Sequence, residues 1–88
     1  EFLGRLRLDE AHGRSITSGY RCTFDVPAGP SDAEVILVDV DQLRPGEEGA
    51  VRLRPFVAQR WEDAPLARRL VGREGLRQTC TVVLESRA

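Results

Sequence analysis

Few residues in this 88-residue chain have side chains suited to chemistry. His12 is the only imidazole, and Glu10 stands two positions before it. A carboxylate beside an imidazole is the least from which a general base is built. Cys22 has the thiol of a nucleophile. The histidine pair falls in a polar loop and Cys22 in the middle of an alternating segment, so catalysis is not expected and no cofactor is implied. Asp39 and Asp41, in an alternating Asp-Val-Asp, and Glu47 with Glu48 offer carboxylates. Calcium or magnesium would need further oxygen ligands, and both pairs read as solvated surface. Cys22 and Cys80 lie far apart with no Cys-x-x-Cys pair, and a structural zinc site needs four ligands. They are expected as two buried free thiols, with one disulfide open if the strands that carry them are neighbours.

The elements that must position these groups are strands. Phe2, Leu6 and Leu8 share one face of Phe2–Leu8 while Arg5 and Arg7 take the other, a period of two. The stretch from Asp9 to Gly19 is polar and reads as a loop that holds at most a short strand pair. Tyr20, Cys22, Phe24 and Val26 alternate with Arg21, Thr23 and Asp25, which turns all four toward a core. Turn formers from Pro27 to Ser31 end that strand. Ala33–Val40 is β-branched and apolar on both faces. Asp41–Gly49 reads as a surface turn in which Pro45 and Gly46 fit the centre of a type II turn. Ala50–Val57 alternates again, with Pro55 placed near an edge or bulge. In Arg60–Gly72, Pro65 fits the start of a short helix, yet the hairpin signal Gly72–Gly75 demands a first arm, and Arg68–Val71 supplies it. The β-branched run Thr79–Glu85 is the second arm.

Six strands in a chain this short cannot bury two apolar faces as one open layer, so the sheet must close or fold over. A small closed barrel is favoured over a sandwich because closure also removes the edges. Area scaling gives one domain, residues 1–88, with a folded surface of about 5,200 Å². Thirteen basic residues, all arginine, face 14 acidic ones, and the formal net charge of -1 removes any global attraction to nucleic acid or anionic membrane. No apolar run approaches the roughly 20 residues of a membrane span, and no signal peptide is recognisable, so a cytoplasmic location is expected. The chain opens on Glu1 rather than methionine, so its ends are not read as natural termini.

Four stretches in series carry a resemblance. They are Gly13-Arg14, then Ser18-Gly19-Tyr20-Arg21 leading to Phe24, then Leu43-Arg44-Pro45-Gly46-Glu47, then Arg73-Glu74-Gly75. In order and rough spacing they resemble the third, C-terminal domain of elongation factor Tu and related translation-factor GTPases, over essentially the whole chain. The resemblance implies an all-β fold, a six-stranded antiparallel closed β-barrel. It also implies the partners of that domain: a second barrel, a GTPase domain in its GTP-bound state, the T-stem of aminoacyl-tRNA and a nucleotide-exchange factor. Arg14, Tyr20, Arg21, Arg73 and Glu74 occupy the matching positions. Where the family has two glycines in its last strand, this chain has Cys80 and Val82. No Gly-x-x-x-x-Gly-Lys phosphate loop is present, and with no lysine there can be none, so GTP is not bound in the family's manner.

Arg14, Arg21 and Arg73 have the chemistry to grip phosphates as one patch. The alternative is that they pair with Glu74, Asp25 or other carboxylates and brace turns. Trp61 is either a cap over one barrel end or an interface anchor. The expected function is a non-catalytic interaction module of a translation-elongation-factor-like protein, docking to upstream GTPase and barrel domains, to a protein, or to tRNA or another structured RNA. The other reading is a free-standing, homo-oligomeric binding protein that has left translation.

Overall fold

The computed structural model describes residues 1–88. Eight strands form: β1 (Phe2–Leu8), β2 (Ile16–Thr17), β3 (Tyr20–Val26), β4 (Gly29–Leu37), β5 (Gln42–Leu43), β6 (Glu48–Pro55), β7 (Arg69–Glu74) and β8 (Arg77–Arg87). Six of them close an antiparallel barrel in the order β1-β6-β4-β3-β7-β8, and β2 pairs with β5 as a separate ribbon. The solvent-accessible surface is 5110 Å², as the chain length predicts. No helix is long and apolar enough to cross a membrane.

Alternation builds the wall as expected. Phe2, Leu6 and Leu8 on β1, Cys22, Phe24 and Val26 on β3, and Val51 and Leu53 on β6 all point inward and are buried. Tyr20 is only half-buried, because it stands at the mouth of the barrel and its hydroxyl reaches polar partners there. Cys80 and Val82, the two positions where the resembled family has glycine, face the interior and are fully buried.

Three boundaries differ from the sequence expectation. The turn after β3 is two residues, Pro27 and Ala28, because Gly29 adopts φ +114 and lets the chain reverse at once. Pro30 and Ser31 therefore belong to β4, and Pro30 lies beyond the stretch paired with β6, so its missing N–H interrupts no ladder. As a result β4 ends at Leu37, leaving Val38 and Val40 exposed. The surface turn from Asp41 is in part structured: Leu43 is buried and pairs with Ile16, tying two loops together. Pro45 and Gly46 turn as expected, with Gly46 at φ +87 and the Glu47 N–H donating to the Arg44 carbonyl over 3.0 Å. No helix starts at Pro65: β7, Arg69–Glu74, supplies the hairpin's first arm as expected, and a 3-10 turn lies earlier, at Ala58–Trp61.

That turn folds Trp61 over one end of the barrel, 1% exposed, with ring centroids 5.7 Å from Phe2 and 5.8 Å from Phe24. Trp61 is thus the cap, and its burial leaves no face for an interface anchor.

Cys22 and Cys80 are free, buried thiols with sulfurs 4.0 Å apart. Their strands are not neighbours, since β7 runs between them. Strands lie about 4.8 Å apart, so backbones two strands away exceed the roughly 7 Å limit for a disulfide. The sulfurs meet only because Gly72 on β7 has no side chain: a Cβ there would sit 2.5 Å from Cys80 Sγ and 3.0 Å from Phe24 Cε1. Gly72→Ala is expected to destabilise the barrel by about 1–3 kcal/mol by overpacking. Cys80→Ala in the same chain should recover part of that loss in a double-mutant cycle of denaturant unfolding, whereas purely additive effects would refute the steric account.

Candidate functional site

The end of the barrel opposite Trp61 is polar. There β1 finishes, β3 and β8 begin, and β7 ends, while the loop after β1 folds back across the opening. A 3-10 turn at Glu10–His12, ended by Gly13 at φ +86, drops His12 into the mouth. The imidazole side chain is 3% exposed and meets the Tyr20 ring edge-on, with centroids 5.9 Å apart. Nδ1 lies 2.8 Å from the Arg14 carbonyl and Nε2 lies 3.1 Å from Glu74 Oε2. Both partners only accept, so a ring nitrogen that carries hydrogen donates to the partner it faces.

Glu74 is the hub. The Tyr20 hydroxyl donates to its Oε2 over 2.5 Å and lies 2.9 Å from Thr79 Oγ1. With its one proton committed to the carboxylate, Tyr20 accepts from the buried Thr79 hydroxyl. The bonds from Tyr20 and His12 hold the Glu74 carboxyl below the usual carboxylate range, and Arg14 adds to this. Burial, and then the bond to Glu74, pushes the Tyr20 phenol up. Beneath them, the bond with Cys80 and burial push the Cys22 thiol up and keep it protonated. Glu10 does not join the cluster. It is exposed and reaches toward Arg7 at 3.8 Å, so the general-base pair read from the sequence is not assembled.

Arg14, Tyr20 and Glu74 are therefore brought together, while Arg21 and Arg73 are not. Arg21 lies on the outer wall, paired with Asp32 at 3.0 Å and stacked over Phe56 at 4.4 Å. Thr23 and Arg21 hold Asp32 below the ordinary carboxylate range. Arg73 Nε donates to Asp25 over 2.8 Å. The single phosphate patch does not form: two of its three arginines are neutralised by carboxylates on the wall. At the mouth, Arg14 has no carboxylate within 4 Å. Arg77 reaches the Ala11 carbonyl, and Leu76 at the tip of the β7–β8 hairpin is 99% exposed.

Sequence reasoning missed His12 and Thr79 as partners of the Tyr-Arg and Arg-Glu-Gly motifs. The signal for His12 was weak, a glycine immediately after the ring marking where the loop reverses. No signal pointed to Thr79: alternation puts Cys80, Val82 and Leu84 on the inward face, and Thr79 turns in only because it is the extra residue where the β7–β8 register shifts. Set against known proteins, the chain matches no family model and no curated protein.

Two predictions follow from this geometry. Tyr20→Phe leaves Glu74 and Thr79 each short of a partner and should cost about 1–3 kcal/mol in denaturant unfolding, whereas Arg21→Ala, which removes an exposed pair, should cost about 0–1 kcal/mol. Because the folded pKa of Glu74 is depressed, its contribution to stability is present above the ordinary glutamate value of about 4.3 and is lost as pH falls through the depressed one. A series of unfolding midpoints against pH should show that acid loss in the native chain and a shallower one in Glu74→Gln.

Proposed function

We propose that this chain is a non-catalytic β-barrel interaction module of a translation-elongation-factor-like protein, docking to partner domains, protein or RNA through the mouth bearing Arg14, Leu76 and Arg77. The observation that carries the reading is the unsatisfied chemistry of that rim. Leu76 is 99% exposed on a two-residue hairpin loop. Covering such a side chain stabilises a complex by about 1.5–3 kcal/mol. Arg14, without an ion pair of its own, keeps all its donors for a phosphate or carboxylate on a partner. Tyr20, His12 and Glu74 hold the rim from below and serve as its support. The series of motifs shared with the third domain of elongation factor Tu, together with the six-stranded barrel that the resemblance implied, supports the translation-factor context.

Titration with a structured RNA tests the RNA arm. Binding through the rim should weaken steeply between about 50 and 200 mM salt and fall in Arg14→Glu. No binding at low salt removes RNA and leaves domain docking. The encoding reading frame tests that: a GTPase and a second barrel upstream support the module, whereas a frame of this length would favour the free-standing homo-oligomer.

A further inference from the structure

The closure of the barrel is uneven. Five of its six strand pairings register between five and seven residue pairs each, whereas β3 and β7 register two, Thr23 with Arg73 and Phe24 with Gly72. At the same place the pairing of β7 with β8 shifts register between Gly72 and Arg73, with Thr79 the extra residue on β8. On either side of it the backbone ladder is replaced by side chains. Arg73 reaches Asp25 on one side, and Glu74 takes Tyr20 and His12 on the other. Each strand of the seam is held firmly from behind, β3 by β4 and β7 by β8. Parting the seam therefore separates two intact hairpins and does not require either to unfold.

We propose that the β3–β7 seam is a proton-sensitive clasp: protonation of Glu74 releases Tyr20 and His12 together, and the barrel opens along this line to expose the Cys22–Cys80 sulfur pair while its other strand pairings persist. Glu74 is placed for that role. Its side chain is 39% exposed, so protons reach it, yet its Oε2 holds two partners from two other elements. The groups that face it are Tyr20 and, deeper, Cys22 from β3, His12 from the 3-10 turn, Arg14 from the following loop, and Thr79 from β8, with Arg77 on the same rim. Protonation turns the carboxylate from an acceptor of charge-assisted bonds into a weaker neutral acceptor. His12 and Arg14 then face it without the opposing charge. Arg73 with Asp25 remains as the only side-chain tie across the seam from the β7 motif. Gly72 belongs to one of the two backbone pairs, and both sulfurs lie against the space its absent Cβ would take, so an opened seam uncovers both thiols.

Labelling of native protein with 4,4′-dithiodipyridine tests this, each rate normalised to that of the unfolded chain at the same pH. From about pH 7 down to about pH 3 the normalised rate should rise about tenfold or more, most of it below the ordinary glutamate value of about 4.3, while the far-ultraviolet circular dichroism stays native. Low concentrations of denaturant should barely alter that rate, as for a local opening. Glu74→Gln should label fast already at neutral pH and lose the pH dependence. Tyr20→Phe, which keeps the carboxylate, should raise the neutral rate and retain a pH dependence, and it serves alone if Glu74→Gln does not fold. The proposal is overturned by a normalised rate that stays flat until the circular dichroism is lost. A labelling rate that follows denaturant with the slope of global unfolding overturns it equally, as does slow neutral labelling of a folded Tyr20→Phe.

Discussion

A closed sheet has no free edge, so the barrel is only as firm as its shortest strand pairing. Here that pairing is β3 with β7, and the backbone contributes two residue pairs to it. The remainder is made by side chains: Arg73 with Asp25, and Glu74 with Tyr20 and His12. The Gly-Tyr-Arg and Arg-Glu-Gly motifs thus face one another across the seam. Motif residues that would have been read as a contact surface are in large part the means by which the sheet becomes a barrel. What they leave for a partner is the rim above them.

The interior is sealed at both ends by rings of opposite character. Trp61 caps one end by stacking near Phe2 and Phe24, and its indole N–H is the one buried side-chain polar atom without a partner. His12 caps the other end through two hydrogen bonds and an edge contact with Tyr20. The difference follows from what lies beneath. Apolar side chains from β1 and β3 need only be covered, whereas the mouth above Thr79 and the two thiols holds polar groups that must be paired. Between the caps, Gly72 fixes how closely the thiols and Phe24 approach. On the outer wall, arginines meet carboxylates across strands, as Arg5 does Glu48 and Arg54 does both Glu1 and Glu34. Exposed pairs of this kind are each worth little, and they explain why an arginine-rich chain presents no single basic face.

The six wall strands were legible because alternation is a strong local signal wherever one face is buried and the other wet. The boundaries near Pro27 and Leu37 were less so, because a run of turn formers does not say which of its members turns. Gly29 alone decided that by accepting a positive φ. Ile16 and Leu43 stood out as apolar residues in polar loops, yet only their meeting made a ribbon of them. The cluster at the mouth was half legible. Tyr20, Arg14 and Glu74 were marked by resemblance, while His12 was paired with the wrong carboxylate, since Glu10 is near in sequence and Glu74 is near in space.

From the amino-acid order alone came everything that depends on neighbours a few residues apart: strand type, inward and outward faces, the Pro-Gly turn, the absence of a phosphate loop, and the need for the sheet to close. The fold decided which strands adjoin, and so whether two cysteines are bonded or merely touching, whether Trp61 caps or projects, and which arginines are spent on carboxylates. Those outcomes hang on contacts between residues distant along the chain. Local periodicity carries no information about such contacts, because register and closure are set by the packing of the whole barrel at once.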